Sequence, residues 1–173
     1  MIALLWMCFV IATVTSVQPT RVPVTTASPL NGLWRLDASR DIGSLDNFLA
    51  LEGVDWFRRK AILGMAMDER LALNATTFSV DRYAPPYGNN YAIHHLDRFE
   101  QEEDTLLGRV SVMGHASTDL YKVQLSKTRL ADRAVFTGTR HVTRNAPNLL
   151  VYAMNFTLSN GQHAECVRHY IRV

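Results

Sequence analysis

Short runs in which hydrophobic and polar residues alternate make up most of this chain. Alternation with a period of two places one set of side chains on each face of a β-strand. The runs cover residues 32–36, 71–73, 78–80, 91–96, 98–102, 106–113, 121–125, 134–144, 150–158 and 161–173. Many short strands at roughly ten-residue spacing favour an antiparallel barrel or sandwich. Apart from one early segment, the fold is therefore predicted to be all-β.

That early segment follows Arg40 and has the three- and four-residue spacing of amphipathic helices. Ser44 is placed to cap a first helix, because its hydroxyl can accept a hydrogen bond from a free amide of the first turn. Asp55 is placed to cap a second helix that ends near Gly64. The predicted apolar faces consist of Leu45, Phe48 and Leu49 in the first helix and of Phe57, Ala61 and Met65 in the second.

One arginine falls on an apolar strand face. In the run 134–144, Arg140 shares its face with Phe136 and Val142. A buried arginine is costly unless an anion or an acceptor accompanies it. Arg140 is therefore a candidate for binding an anionic ligand.

The last run holds Arg168 and Tyr170 two residues apart, so both side chains lie on one face of a strand. A guanidinium and a phenol directed at one point make a receptor for a carboxylate, because both donate hydrogen bonds. The opposite face contains Val167, Ile171 and Val173 and is more apolar. Periodicity alone therefore predicts that Arg168 points away from the core.

The N-terminal segment favours export. Residues 1–16 are almost wholly apolar and end in small residues suited to signal-peptidase cleavage after Ser16. The run is short for a membrane span, which needs about 20 apolar residues. It predicts a signal peptide and a secreted protein, with an uncleaved anchor as the alternative because a basic n-region is missing. Residues 17–31 contain three prolines and no periodicity, so we expect a flexible lead-in to a domain over 32–173.

Secretion bears on the cysteines and on two sequence triplets. Cleavage would remove Cys8 and leave Cys166 as the only cysteine, so no internal disulfide could form. Asn74-Ala-Thr76 and Asn155-Phe-Thr157 are sequons, which makes Asn74 and Asn155 candidate glycosylation sites, although such triplets also arise by chance.

Little in the chain points to catalysis, metals or nucleic acid. The net charge of +2 comes from mixed basic and acidic residues and gives no footprint for nucleic acid. His94 and His95 are adjacent, so on a strand they point to opposite faces and cannot chelate one metal. No Gly-x-Ser-x-Gly elbow or phosphate loop occurs. We expect no enzyme, no metal and no cofactor.

Taken together, these elements resemble the fatty-acid-binding protein family, also called intracellular lipid-binding proteins, over about residues 31–173. The resemblance rests on Gly32-x-Trp34-x-Leu36, on the helix pair with Asn47-Phe-Leu, Gly53-Val and Arg58-Arg-Lys60, on the strand runs, and on the closing Cys166-x-Arg168-x-Tyr170. It implies a ten-stranded up-and-down antiparallel β-barrel of the calycin type. A two-helix lid would lie between the first and second strands.

The resemblance also implies a carboxylate site inside the barrel. Arg168 and Tyr170 match the family's Arg-x-Tyr on the final strand, so both would face inward. Arg140 matches the arginine that completes the site, with Arg144 as the competing candidate. Candidate contacts to a lipid tail are Phe48 and Phe57 in the lid and Met154 and Phe156 in the barrel, although ordinary core packing explains them equally well.

The implied function is a secreted, monomeric carrier of a long-chain fatty acid or a related hydrophobic carboxylate. Arg58, Arg59 and Lys60 would allow transient membrane contact by the lid, and a solubilising helix face explains them equally well. One alternative is a lipocalin-type carrier, which also opens with Gly-x-Trp but has eight strands and a late helix. Another is an extracellular interaction domain whose barrel is filled by side chains.

Overall fold

The computed structural model describes residues 28–84, 89–96, 101–105 and 108–173. The predicted signal peptide and most of the lead-in lie outside these ranges, as do residues 98–100 and 106–107 of two predicted strands. The helices are α1 (Leu45–Leu51) and α2 (Trp56–Leu63), preceded by a short 3-10 turn at Ala38–Arg40. The strands are β1 (Gly32–Leu36), β2 (Ile42–Gly43), β3 (Asp68–Leu73), β4 (Thr77–Tyr83), β5 (Asn89–His95), β6 (Gln101–Thr105), β7 (Gly108–Ala116), β8 (Lys122–Arg129), β9 (Val135–Thr143), β10 (Ala146–Thr157) and β11 (His163–Arg172).

The strands form one strongly curled antiparallel sheet in the order β5-β4-β3-β1-β11-β10-β9-β8-β7-β6. Along this order each strand pairs with its neighbour in the chain, except that β1 pairs with β3 and that β5 and β6 form the two edges. β1 also pairs with β11, which joins the first strand to the last. The two-residue β2 also pairs with β11, outside the main path. The predicted up-and-down barrel with an early helical lid is confirmed, and β2 is an addition to it.

Both helices begin at the predicted caps. The Ser44 hydroxyl accepts from the amide of Asn47 at 3.1 Å, and the Asp55 carboxylate accepts from the amide of Arg58 at 3.2 Å. These contacts satisfy amides that have no partner within the first helical turn. No helix among the described residues is long and apolar enough to cross a bilayer.

The predicted packing face is correct for α1 and wrong for part of α2. Phe48 and Leu49 of α1 are buried, as expected. In α2 the Phe57 side chain is 80% exposed, whereas Ile62 is buried. At 3.6 residues per turn, positions 57 and 62 lie about 140° apart around the helix, so packing Ile62 inward turns Phe57 outward.

The interior contains two apolar clusters, one beneath the helices and one at the far end of the barrel. The first, called the lid cluster, consists of Phe48, Leu49, Val54, Ile62, Met65, Ala84, Ala134, Phe156 and Cys166. The second, called the floor cluster, consists of Leu30, Trp34, Leu71, Leu73, Phe78, Val80, Leu96, Val123, Leu125, Val142, Leu150, Tyr152 and Tyr170. Phe136 and Met154 pack against both clusters.

The chain before β1 closes the floor. Leu30 is fully buried, and its carbonyl accepts from the indole N–H of Trp34 at 2.8 Å. The Ser28 hydroxyl donates to the carbonyl of Leu120 at 2.8 Å, and the Asn31 side chain accepts from the amide of Leu73 at 2.6 Å. Residues 28–31, which the sequence assigns to the lead-in, are therefore packed against the barrel.

Candidate ligand-binding site

The last strand turns its polar face inward. Arg168 is 6% exposed and Tyr170 is 1% exposed, whereas Ile171 on the other face is 41% exposed. The expectation from periodicity alone is wrong here, and the orientation implied by the resemblance is the one observed. Pairing explains the choice, because Tyr170 lies opposite Leu36 of β1 and Leu150 of β10, two residues that pack in the floor cluster.

Arg140, Tyr152 and Arg168 lie opposite one another on β9, β10 and β11 and form one row across the inner surface. The Arg140 guanidinium lies 3.6 Å from the centroid of the Tyr152 ring, a favourable cation–π geometry. The competing candidate Arg144 is exposed and lies 3.7 Å from Asp119. The structure therefore brings Arg140, and not Arg144, into the interior.

A carboxylate from the opposite wall meets Arg140. Strands β3 and β9 are separated in the sheet by β1, β11 and β10, yet Nε and Nη2 of Arg140 both lie 3.3 Å from Oε2 of Glu69. Arg82, which is directly opposite Glu69 on β4, donates from Nε to Oε1 of Glu69 at 2.8 Å. This trio, called the central cluster, spans the interior of the barrel.

The central cluster carries an unbalanced charge. Glu69 is completely buried. Burial alone would raise the pKa of its carboxyl, but the charges of Arg140 and Arg82 outweigh burial and hold that pKa below its ordinary value. Glu69 is thus ionised at neutral pH. Two guanidinium charges against one carboxylate leave one positive charge uncompensated within the trio.

Arg168 has a carboxylate partner of its own. Its Nε donates to Oδ2 of Asp41 at 3.1 Å, while Oδ1 of Asp41 accepts from the amide of His169 at 3.2 Å. Asp41 directly precedes β2, whose pairing with β11 brings this carboxylate beside Arg168. The pair is balanced, with one charge of each sign.

The phenol of Tyr170 stays neutral. Burial is the main reason that its pKa is raised, and the charge of Glu69 raises it further. Its hydroxyl lies 3.9 Å from the sulfur of Met67. The neutral hydroxyl of Tyr170 therefore donates to the Met67 sulfur at the edge of the floor cluster.

The predicted tail contacts divide into inner and outer residues. Phe48 and Phe156 are buried in the lid cluster with their rings edge to face at 6.2 Å, and Met154 is half-buried between the two clusters. Phe57 lies on the outer surface and cannot contact a molecule inside the barrel. The sequence prediction is corrected at that residue.

Comparison with known proteins identifies the fold of this chain. No family model and no curated protein matches the sequence. Among solved structures, a fatty acid binding protein of Schistosoma mansoni in complex with arachidonic acid matches with a TM-score of 0.64 at 15% identity, over 86% of this chain and 99% of that one. Lipid binding protein 8 of Caenorhabditis elegans matches with a TM-score of 0.65 at 14% identity, over 88% and 100%. The brain fatty acid-binding protein of Drosophila melanogaster matches with a TM-score of 0.60 at 20% identity, over 80% and 95%.

The chain has the fold of the fatty-acid-binding proteins. At this level of identity the likeness establishes the fold, including the lid of two helices, and leaves the ligand open. Within the fatty-acid-binding protein fold, this chain places a charged belt between the floor and lid clusters, formed by the central cluster and Arg168. On β11, for example, Arg168 lies between Cys166 of the lid cluster and Tyr170 of the floor cluster.

Burial shifts the pKa values of two other side chains of this fatty-acid-binding protein fold, His94 and Cys166. His94 is buried and His95 is exposed, as their alternation predicts, and burial lowers the pKa of His94. Burial also raises the pKa of the Cys166 thiol, which disfavours the reactive thiolate. Within the residues that the structure describes, no group of three or more histidine, cysteine, aspartate and glutamate side chains could hold a metal ion.

The two sequons lie at different kinds of position. Asn74 begins the turn between β3 and β4, where its side-chain oxygen accepts from the amides of Thr76 and Thr77 at 2.8 Å. Asn155 lies within β10, and its Nδ2 donates to Glu165 at 2.8 Å. Glycosylation of either asparagine stays a prediction, with Asn74 on the more accessible turn.

Sequence reasoning missed Glu69 and Arg82. The signal was present in the spacing of two residues. Glu69 shares a strand face with Leu71 and Leu73, and Arg82 shares one with Phe78 and Val80. The alternation that places these apolar residues inside also places the two charged residues inside.

Proposed function

We propose that this protein is a secreted carrier that binds a long-chain fatty acid, or a related hydrophobic carboxylate, inside its barrel. The observation that carries the proposal is the unbalanced positive charge of the central cluster, which lies between two apolar clusters. A buried cation without a counter-ion is costly, so a site of this kind favours an anion. The apolar residues on either side suit a hydrocarbon tail.

The fold supports the same conclusion. Solved structures with this fold include fatty acid binding proteins, one of them in complex with arachidonic acid. Each methylene removed from water contributes about 0.8 kcal/mol, so a sixteen-carbon tail contributes about 12 kcal/mol before ordering costs. The tail therefore supplies most of the affinity, and the charged belt selects the headgroup.

Displacement of a fluorescent fatty acid tests this function. Hexadecanoic acid should displace the probe more effectively than hexadecan-1-ol, which has the same tail and no charge. If neither compound displaces the probe and no lipid co-purifies with the protein, the barrel is filled by its own side chains and the carrier function is wrong.

Secretion rests on residues 1–16 and is tested separately. Expression of the full chain in eukaryotic cells should release a protein whose N-terminal residue is Val17. Retention of the intact N-terminus in the membrane fraction would instead support an uncleaved anchor. A mobility shift after N-glycosidase treatment would show that Asn74 or Asn155 is modified.

Transient contact with a lipid surface through α2 also belongs to this proposal. Trp56 is 56% exposed, and its ring packs edge to face with that of the outward-pointing Phe57. Exposed aromatic rings of this kind partition into the membrane interface. The basic residues first considered for this contact have acidic partners, since Arg58 pairs with Asp55 and both Arg59 and Lys60 pair with Asp46.

Vesicle transfer assays distinguish the two driving forces. Replacing Trp56 and Phe57 with serine should slow transfer of a fluorescent fatty acid to neutral vesicles. A rate that depends only on the anionic lipid content would show that the basic residues dominate instead.

A further inference from the structure

We infer that the anionic headgroup binds to Arg82 and Arg140, with Glu69 as a built-in counter-ion that sets how strongly acids are preferred, and that Arg168 has a separate, structural role. This inference rests on the proposed function and assigns its headgroup site. Arg82 and Glu69 thereby become ligand-selecting residues.

Charge balance supports this assignment. Arg168 already has Asp41 as its counter-ion, so an arriving carboxylate would have to compete with a carboxylate of the protein. The central cluster has two cations and one anion, so one further anion completes it. Adding a carboxylate to an existing neutral pair gains less than adding it to an uncompensated cation in a medium of low polarity.

The donors of the central cluster support it as well. Glu69 occupies Nε and Nη2 of Arg140, and a guanidinium has five N–H donors in all. Nη1 of Arg140 takes no part in the contacts with Glu69, and it remains for a ligand. The ring of Tyr152 supports the guanidinium from one side and fixes its plane.

Arg82 lies where a headgroup could reach it. Arg82 lies two residues after Val80 of the floor cluster and two residues before Ala84 of the lid cluster, which directly follows β4. It is therefore at the level where the two apolar clusters meet. Its side chain keeps 24% exposure, although it forms a 2.8 Å contact with Glu69. A headgroup at this level would leave the tail in contact with Met154 and Phe136, which touch both clusters.

Glu69 limits the strength of this site. Its carboxylate already takes part of the attraction that both arginines can offer, so a bound acid gains the field of about one cation rather than two. Replacing Glu69 with glutamine keeps the shape and removes the charge. The protein should then prefer acids more strongly.

The test measures the ratio of affinities for hexadecanoic acid and hexadecan-1-ol in the full chain, by displacement of a fluorescent fatty acid. Affinity for the alcohol reports an intact cavity in each variant, because the alcohol carries no charge. Arg82→Gln should lower the acid-to-alcohol ratio by about tenfold, and Glu69→Gln should raise it by about tenfold. Arg82→Lys, which keeps the charge, should restore much of the ratio.

Two further variants complete the design. Arg168→Gln should lower the ratio less than Arg82→Gln does. Arg70→Gln is the matched control, because Arg70 is exposed on the outer face of β3 next to Glu69 and its loss changes the net charge equally. It should leave the ratio unchanged.

The outcomes separate this inference from the proposed function. If the ratio collapses in Arg168→Gln and persists in Arg82→Gln, the headgroup binds at the final strand and the inference is wrong. An unchanged ratio in Glu69→Gln overturns it too. If the wild-type protein binds neither compound, the proposed function itself fails. Should Arg82→Gln lose alcohol binding because it misfolds, Glu69→Gln and Arg82→Lys still decide the matter.

Discussion

Arg140 and Arg168 occupy the same row of the barrel, on either side of Tyr152, and yet their surroundings differ. The counter-ion of Arg140 comes from the opposite wall and is shared with a second arginine. The counter-ion of Arg168 comes from the adjacent segment before β2 and is not shared among the described residues. Residue type and inward orientation are the same in both cases, so the inferred headgroup site at Arg140 depends on the difference in counter-ions.

This difference also separates two structural roles. The Arg140 contact links β3 to β9 across the interior, whereas the Arg168 contact fastens the start of the lid segment to β11. A substitution in the first should affect the whole barrel. A substitution in the second should act on the junction between barrel and lid.

The largest effect is expected from Glu69→Leu. This change leaves Arg82 and Arg140 buried without a carboxylate, and the free energy of unfolding should fall by about 3 to 5 kcal/mol. Urea denaturation measures it. Arg35→Gln, which breaks the exposed 3.0 Å pair with Asp68, is the control and should leave the midpoint unchanged. Equal midpoints for the two variants would contradict a cross-barrel ion pair.

A smaller effect is expected from Asp41→Asn. The substituted amide still offers an oxygen to the amide of His169, but it loses the charge that faces Arg168. The free energy of unfolding should fall by about 1 to 2 kcal/mol. Relative to the wild-type protein, the rate of amide hydrogen exchange should increase more in α1 than in β9. A uniform change over the whole barrel would show that Arg168 and Arg140 are not separate units.

The smallest effect concerns the carboxyl of Glu52, for which burial outweighs the attraction of Arg129. Burial raises the pKa of Glu52, at the end of α1, to about 7, and the charge of Arg129 offsets only part of this. Since the folded state favours the protonated form, ionisation of Glu52 destabilises the fold as pH rises from about 4.5 through 7. A shift of this size corresponds to about 3 kcal/mol for a fully buried carboxyl, and the partial exposure of Glu52 reduces it. Glu52→Gln should therefore stabilise the protein by about 1 kcal/mol at pH 8 and have no effect near pH 4. Thermal melts over this range measure it, and a benefit that is equal at both pH values would contradict the shift.

Much of the fold could be predicted because its signals are local. The caps at Ser44 and Asp55 depend on residues three positions away, and strand alternation places Leu71 and Phe78 without knowledge of any partner. The final strand is different. Its more apolar face is the one that turns outward, so periodicity alone misplaces it, and only the pairing with β1 and β10, or the resemblance to a family, gives the observed orientation.

The site was harder to predict because its contacts are distant in sequence. Glu69 and Arg140 are 71 residues apart and meet only when the sheet curls. Alternation places both inside, but it cannot show that one neutralises the other. The predicted receptor of Arg140, Arg168 and Tyr170 consists of three side chains that are indeed buried, and it omits the two acids, Glu69 and Asp41, that pair with the arginines.

The packing of Ser28–Asn31 into the floor has a directional consequence. Ser28 lies at the end of the barrel opposite the helices. A tether attached to Ser28 would therefore hold the barrel by its floor and leave both helices facing away from the support.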